Sequence, residues 1–252
     1  MSLLSKLGVV TAPYPAERPR NVPDGRGPAP QHVLAGLPSA EAKAHQGRFS
    51  NGLKEFMRQL EDMRRGTLLD MGPPWQDTLN FFIERGFKVY TDDVLDSWAS
   101  FLRHEQRQSS STSSAGDTAD KSTELLDSSP AGRAERFLAS NLHYGRDTFD
   151  AILLWDLLDY LDRETAARVV TQLSALLRSG GVILAVFHMR MPEKLQRYRV
   201  LDAANLELIA AAPTVQPQHI YQNREIQDLF QVFRSSKFFI GRDQLREGVF
   251  VK

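Results

Sequence analysis

The sequence predicts an α/β fold, an open and mostly parallel sheet that is doubly wound, with helices on both faces and an antiparallel hairpin at its C-terminal end. Three observations carry this. Thr67-Leu-Leu-Asp-Met71 and Phe149-Asp-Ala-Ile-Leu-Leu154 are short apolar runs that end in polar or turn residues and feed helices. Extended and helical periodicities then alternate as far as Phe187, the pattern left by right-handed crossovers between parallel strands. Finally, with 42% apolar and 25% charged residues in 252, the chain can bury one good core with tails, not two full domains.

The elements follow in order. Residues 1–49 are expected to be a flexible arm rich in proline, glycine and alanine, because Ala12-Pro-Tyr-Pro15 and Gly25-Arg-Gly-Pro-Ala-Pro30 lack the N–H groups that helices and central strands need. The folded domain is expected over 50–252. Leu53, Phe56, Met57, Leu60 and Met63 make one helical stripe that Gly66 stops. A buried strand, Thr67 to Met71, follows, and Pro74 stands where a first-turn proline opens a helix bearing Trp75, Leu79, Phe82 and Ile83. Gly86 ends that helix, and Phe87 to Thr91 is the next strand, with Asp92 and Asp93 at its end.

A serine-rich block at about 107–130 has almost nothing to bury and is expected to be a disordered insertion. A short helix from Arg133 to Ser140 precedes the strand Phe149 to Leu154, whose continuous apolar character suits a sheet covered on both faces. The helix from about Asp162 to Leu177 is stopped by Gly180-Gly181, which release the strand Val182 to Phe187. Tyr198 to Ile209 reads as a hairpin turning at Asp202 to Asn205, and Asn223 as the cap of a helix carrying Ile226, Leu229, Phe230 and Phe233. Lys237 to Ile240 and Leu245 to Val251 close the chain as a second hairpin.

Composition narrows the function. Thirty-one basic residues balance 31 acidic ones, so no global field draws the chain to nucleic acid, and no basic, aromatic-bearing surface reads as an RNA or DNA reader. Absence of cysteine excludes disulfides, thiolate metal sites and a cysteine nucleophile, and fits a cytoplasmic location. The histidines are scattered, so no metal site is expected. No apolar run reaches the roughly 20 residues of a membrane helix, and the N-terminus lacks a signal-peptide pattern.

The turn Asp70-Met-Gly-Pro-Pro-Trp75 limits the ligand. Dinucleotide sites present backbone N–H groups to a pyrophosphate, and Pro73 and Pro74 remove two such donors, so a nicotinamide oxidoreductase is disfavoured. No G-x-x-x-x-G-K-[ST] motif is present. A cofactor without phosphates suffers less.

At these residues the chain resembles the class I S-adenosylmethionine-dependent methyltransferases, a Rossmann-like family. Leu68-Leu-Asp-Met-Gly72 is similar to the front of their first motif, with Pro74 and Gln76 in place of the later glycines. Asp92 lies where the family carries its ribose-binding acid. Phe149-Asp-Ala-Ile152 with Leu157-Leu-Asp-Tyr160, and Leu176-Leu-Arg-Ser-Gly-Gly-Val-Ile-Leu184, are similar to the fourth strand and to the glycine turn before the fifth. The resemblance covers roughly residues 50–252. It implies S-adenosylmethionine as cofactor and methyl transfer to an acceptor, for which a small molecule is the expectation.

By the same resemblance, Asp70 orients the loop and the amino group of the methionine moiety, while Met71, Gly72 and Pro73 form the turn beside it. Asp92, or Asp93 one residue on, accepts the ribose hydroxyls. Asn141 and Leu142 fall at the adenine, and Trp155 and Asp156 face the methionine end or the acceptor. His188, after the strand Val182 to Phe187, is a candidate base for an acceptor that must lose a proton. Each has a plainer reading too: Asp70, Asp92 and Asp156 as caps, Gly72 as a tight turn, Trp155 as a core aromatic, His188 and Asn141 as loop residues. The missing glycines also admit a fold kept without catalysis, as a binding or scaffolding module.

Overall fold

The computed structural model describes residues 47–114 and 129–252. Most of the N-terminal arm and residues 115–128 of the serine-rich block lie outside the described residues.

Six strands form the main sheet in the order β3-β2-β4-β5-β9-β8. The parallel half comprises β2 (Gly66–Asp70), β3 (Phe87–Thr91), β4 (Phe149–Trp155) and β5 (Leu177–His188). β8 (Ser235–Ile240) and β9 (Leu245–Val251) form the expected hairpin, and β9 pairs antiparallel with β5. Alternate residues of β4 serve opposite faces: Ile152 and Leu154 join one apolar cluster, Ala151 and Leu153 the other. On the first face lie α3 (Val94–Ser114), α4 (Pro130–Ser140), α5 (Arg163–Leu176) and α6 (Asn223–Leu229); on the second lie α1 (Asn51–Leu60) and α2 (Gln76–Ile83). Helices on both faces explain why β4 and the second half of β5 read as unbroken apolar runs.

A separate three-stranded sheet stands beside this one. β1 (Arg48–Phe49) pairs with β7 (Asn205–Ala210), which pairs with β6 (Gln196–Val200), all antiparallel. The β6–β7 hairpin is the one expected from Tyr198 to Ile209. Its partner β1 puts the last two residues of the expected arm into a sheet.

Several boundaries differ from the sequence reading. α1 ends at Leu60, not at Gly66, which begins β2 opposite Phe87, where a side chain would collide with the Phe87 ring at 2.5 Å. α2 starts at Gln76: Pro73 and Pro74 precede it, and Trp75 N–H donates to the Pro73 carbonyl at 2.7 Å, so neither proline is in the first turn. Asn223 is not the cap of α6; Gln222 is, exchanging bonds with Glu225. The glycine pair lies within β5 instead of before it. Gly86 does close the α2–β3 turn, at φ +87°, with the Arg64 carbonyl 2.6 Å from where a Cβ would sit.

The largest omission is α3. It begins directly after Asp93 and takes in residues 107–114 of the block expected to be disordered. Val94, Leu95 and Trp98 bury its first turns, and Glu105 pairs with Arg133 and Arg136 of α4. No helix among the described residues is long and apolar enough to cross a membrane.

Candidate functional site

The carboxyl ends of β2, β3, β4 and β5 converge, and most of the candidate residues converge with them. Asp92 N–H donates to the Asp70 carbonyl at 2.9 Å, and Met71 N–H to the Leu153 carbonyl at 2.9 Å, so the end of β2 is tied to both neighbours. Asp70 is buried, and its Oδ1 accepts from Gly72 N–H at 3.0 Å and from the Trp155 indole at 2.7 Å. Burial outweighs these bonds and raises its pKa to about 6.

Trp155 fills the space that the glycine turn leaves. Its φ is +55°, unusual for a bulky residue, and its indole stacks on Tyr198 of β6 with ring centres 5.3 Å apart and planes within 3°. A side chain on Gly72 would come within 2.9 Å of the indole nitrogen. The close approach that this glycine permits is therefore made by the protein's own tryptophan. The notch that remains, between Gly72, Leu95, Asp156 and Arg197, holds about 10 Å³, room for about one water molecule.

The two acidic candidates after β3 separate clearly. Asp93 Oδ1 accepts from Asp96 N–H at 3.2 Å in the first turn of α3, and the carboxylate pairs with Arg197 at 3.1 Å. The Asp92 carboxylate is half-buried and accepts no hydrogen bond among the described residues, and burial, with Asp93 beside it, raises its pKa. Asp92 is thus not a cap. Asn141 ends α4 and spends its amide on the Phe137 carbonyl at 2.8 Å, while Leu142 is buried at φ +58° among Met71 and Trp98. Tyr144, just beyond, has its hydroxyl pKa raised by burial and by the nearby Asp92.

Beyond β4, Asp156 is buried and accepts from the Tyr198 hydroxyl at 3.3 Å. Burial pushes its pKa to about 7, against the pull of His188. It stands at the N-cap of the 3-10 turn Leu157–Tyr160 without a side-chain cap bond, and α5 is capped by Asp162, whose carboxylate accepts from Thr165 N–H at 2.9 Å. Asp159, fully buried, accepts from the His188 backbone at 2.7 Å and faces His188 Nδ1 at 3.0 Å. The other ring nitrogen, Nε2, lies 3.8 Å from Asp156. His188 is the last residue of β5, and the carboxylates around it raise its pKa against the effect of burial.

No protein-family model matches the chain, and no curated protein matches it. Solved structures similar to it include the 1,6-didemethyltoxoflavin-N1-methyltransferase of Burkholderia thailandensis, with 1,6-didemethyltoxoflavin and S-adenosylhomocysteine bound; identity is 16%, coverage 80% of this chain and 77% of that one, TM-score 0.39. An S-adenosylmethionine-dependent methyltransferase from Mesorhizobium loti matches at 14% identity over 79% of this chain and 96% of the other, with a TM-score of 0.42. One from Aquifex aeolicus matches at 12% over 80% and 89%, with a TM-score of 0.41.

Three site residues escaped the sequence reading. Tyr198 and Arg197 reach the strand ends from β6, some forty positions beyond β4, and nothing local in a hairpin sequence tells which edge of a sheet it will cover. Asp159 was in view as part of Leu157-Leu-Asp-Tyr160, but its partner His188 lies 29 positions away.

Proposed function

We propose that the chain is an S-adenosylmethionine-dependent methyltransferase acting on a small-molecule acceptor. The observation that carries the reading is the Asp92 carboxylate, half-buried at the end of β3 with no hydrogen-bond partner among the described residues, while Asp93 beside it accepts from Asp96 N–H and pairs with Arg197. A carboxylate held so at a strand end suits a vicinal diol, to which it offers two acceptor oxygens. The residue-by-residue resemblance along β2, β3, β4 and β5 supports the same reading.

The fit to the cofactor divides into two halves. At the ribose, Asp92 fits. At the methionine end, the residues fit only with the indole elsewhere, because Trp155 occupies the glycine turn and the remaining notch is far smaller than the roughly 300–1,000 Å³ of ordinary ligand pockets. In this reading Trp155 leaves Asp70 and Tyr198 when the cofactor enters, and Asp70 exchanges the indole N–H for the methionine amino group. When bound, S-adenosylmethionine supplies a methyl group on a sulfonium. The protein's part is then to hold donor and acceptor in line and to keep water out, which is where much of the acceleration of a displacement originates.

A second reading, a non-catalytic binding or scaffolding module, is favoured by one observation, the same stacked and hydrogen-bonded Trp155. Titration calorimetry with S-adenosylhomocysteine tests the cofactor site that the methyltransferase reading requires, and methyl transfer to a phenolic or amine acceptor from labelled S-adenosylmethionine separates the two. Wild-type protein is expected to bind, with Asp92→Ala weakening the affinity by about tenfold or more for the lost charged hydrogen bonds. Unchanged affinity in Asp92→Ala rules out the ribose assignment. No binding by wild type, and none by Trp155→Gly, removes the methyltransferase reading and leaves the module.

A further inference from the structure

Two walls of the notch beside Trp155 have no part in holding the cofactor, Tyr198 and Asp156. The Tyr198 ring is covered face to face by the indole, with planes within 3°. It is a platform for a flat ring, and the protein's own side chain lies on it. The hydroxyl of the same tyrosine donates to Asp156 Oδ2 at 3.3 Å, so a ring lying on Tyr198 has an edge close to that carboxylate.

We infer that Tyr198 and Asp156 select the methyl acceptor, and that it is a planar aromatic amine: its ring takes the indole's place on Tyr198 and its N–H donates to Asp156. The role of acceptor rests on the methyltransferase reading; the ring site itself stands without it.

Trp155 itself shows what the slot takes. Its indole is a flat ring with one N–H; the ring stacks on Tyr198 while the N–H donates to a buried carboxylate, Asp70, at 2.7 Å. A φ of +55° strains the backbone at so bulky a residue, and the slot's hold on the ring outweighs that strain. With Asp70 given to the methionine amino group, Asp156 is the carboxylate left for a second N–H. It is only 3% exposed and lines the notch, and among the described residues Tyr198 is the one side chain that donates to it.

Charge disfavours an anionic ring. Arg197 already pairs with Asp93 at 3.1 Å, and His188 faces Asp159 at 3.0 Å. A carboxylate or phenolate would meet Asp156 and Asp70 without a counter-charge of its own, which is costly in a buried slot. An amine carries its lone pair without ionising, and its N–H gives the buried Asp156 a donor. Leu95 and Leu157, which complete the walls, suit the carbons of the ring.

The test removes the indole and measures which ring enters. In the full chain, Trp155→Gly relieves the positive φ and opens the slot with or without cofactor. The probes are 6-aminoquinoline, 6-methylquinoline and quinoline-6-carboxylate, two-ring molecules close to the indole in size, and binding is followed by calorimetry. Trp155→Gly is expected to bind the amine about tenfold more tightly than the methyl compound and to reject the carboxylate, while wild type without cofactor binds none of them. Adding Tyr198→Leu should weaken the amine by about tenfold, whereas Tyr198→Phe, which keeps the ring, should not. Adding Asp156→Asn should reduce the preference for the amine to a few-fold with the ring still bound. Wild type saturated with S-adenosylhomocysteine, which needs no substitution, should show the same order of preference. Equal binding of amine and methyl compound, a preference for the carboxylate, or no binding by folded Trp155→Gly overturns the inference. S-adenosylhomocysteine binding without the amine preference sinks the acceptor assignment alone; the preference in Trp155→Gly without S-adenosylhomocysteine binding by either protein sinks the methyltransferase reading and keeps the ring site.

Discussion

Two buried aspartates at the strand ends, Asp70 with a pKa of about 6 and Asp156 with a pKa of about 7, hold their protons to higher pH in the folded than in the unfolded chain, where carboxyls titrate near 3.9. The native state therefore binds more protons between those limits. Stability is fully present below the unfolded pKa and is lost as pH rises through 6 and 7, by up to about 1.4 kcal/mol per pH unit for each group. Asp159 and His188 are shifted upward as well and act in the same direction. Asp156→Asn, neutral at every pH, should flatten the slope: urea denaturation from about pH 5 to about pH 8 should show its advantage over wild type growing from the lower end to the upper. Parallel slopes would mean that Asp156 is ionised throughout. At this scale the sequence was informative about residues at strand ends, since a polar residue closing an apolar run is visible locally. That Trp155 lies across the glycine turn was not visible, because its direction is decided by Asp70 and Tyr198, at distances of 85 and 43 positions in the chain.

Strands and hairpins were the legible elements. β2, β3 and β4 read as short apolar runs, and the two hairpins were bracketed by turn residues. α3 was missed although Val94, Leu95 and Trp98 lie on one helical face, because the polar block after it hides where the helix ends and because Glu105 finds its partners only in α4. Helix starts erred for a similar reason: a proline or an asparagine suggests a start, but the bonds that fix it come from neighbours such as Glu225. One such bond joins two elements at the site. The buried Thr78 of α2 accepts the Val200 N–H at 2.9 Å and so fastens the β6–β7 hairpin, which carries Arg197 and Tyr198, to the helix after the glycine turn. Thr78→Val keeps the shape and leaves that N–H buried and unpaired, at an expected cost of about 1–3 kcal/mol. Hydrogen exchange at the Val200 amide should accelerate well beyond that of the β4 amides; equal acceleration in both would show global loosening and no local fastening.

Across the molecule, one arginine ties the first strand of the small sheet to the last hairpin of the large one. Arg48 of β1 pairs with Asp243 in the β8–β9 turn and with Glu247 of β9, whose other oxygen accepts the Gly52 N–H at 2.6 Å at the start of α1. The Glu247 side chain is only 2% exposed, so Arg48→Met strands a buried charge, with an expected loss of about 3–5 kcal/mol. Adding Glu247→Gln, which still accepts from Gly52, should recover part of it, and thermal denaturation of the two variants measures how much. A second change that makes matters worse would mean the carboxylate is held by more than this arginine. The position of β9 has a further consequence, for synthesis. This strand, complete only at residue 251, lies between β5 and β8. When β5 leaves the ribosome, its apolar residues Val182 to Phe187 have an open edge towards β9's place, and at about 5–20 residues per second that edge waits roughly 3–12 s for its partner. For that interval the nascent chain exposes an unpaired strand edge, open to pairing with another chain.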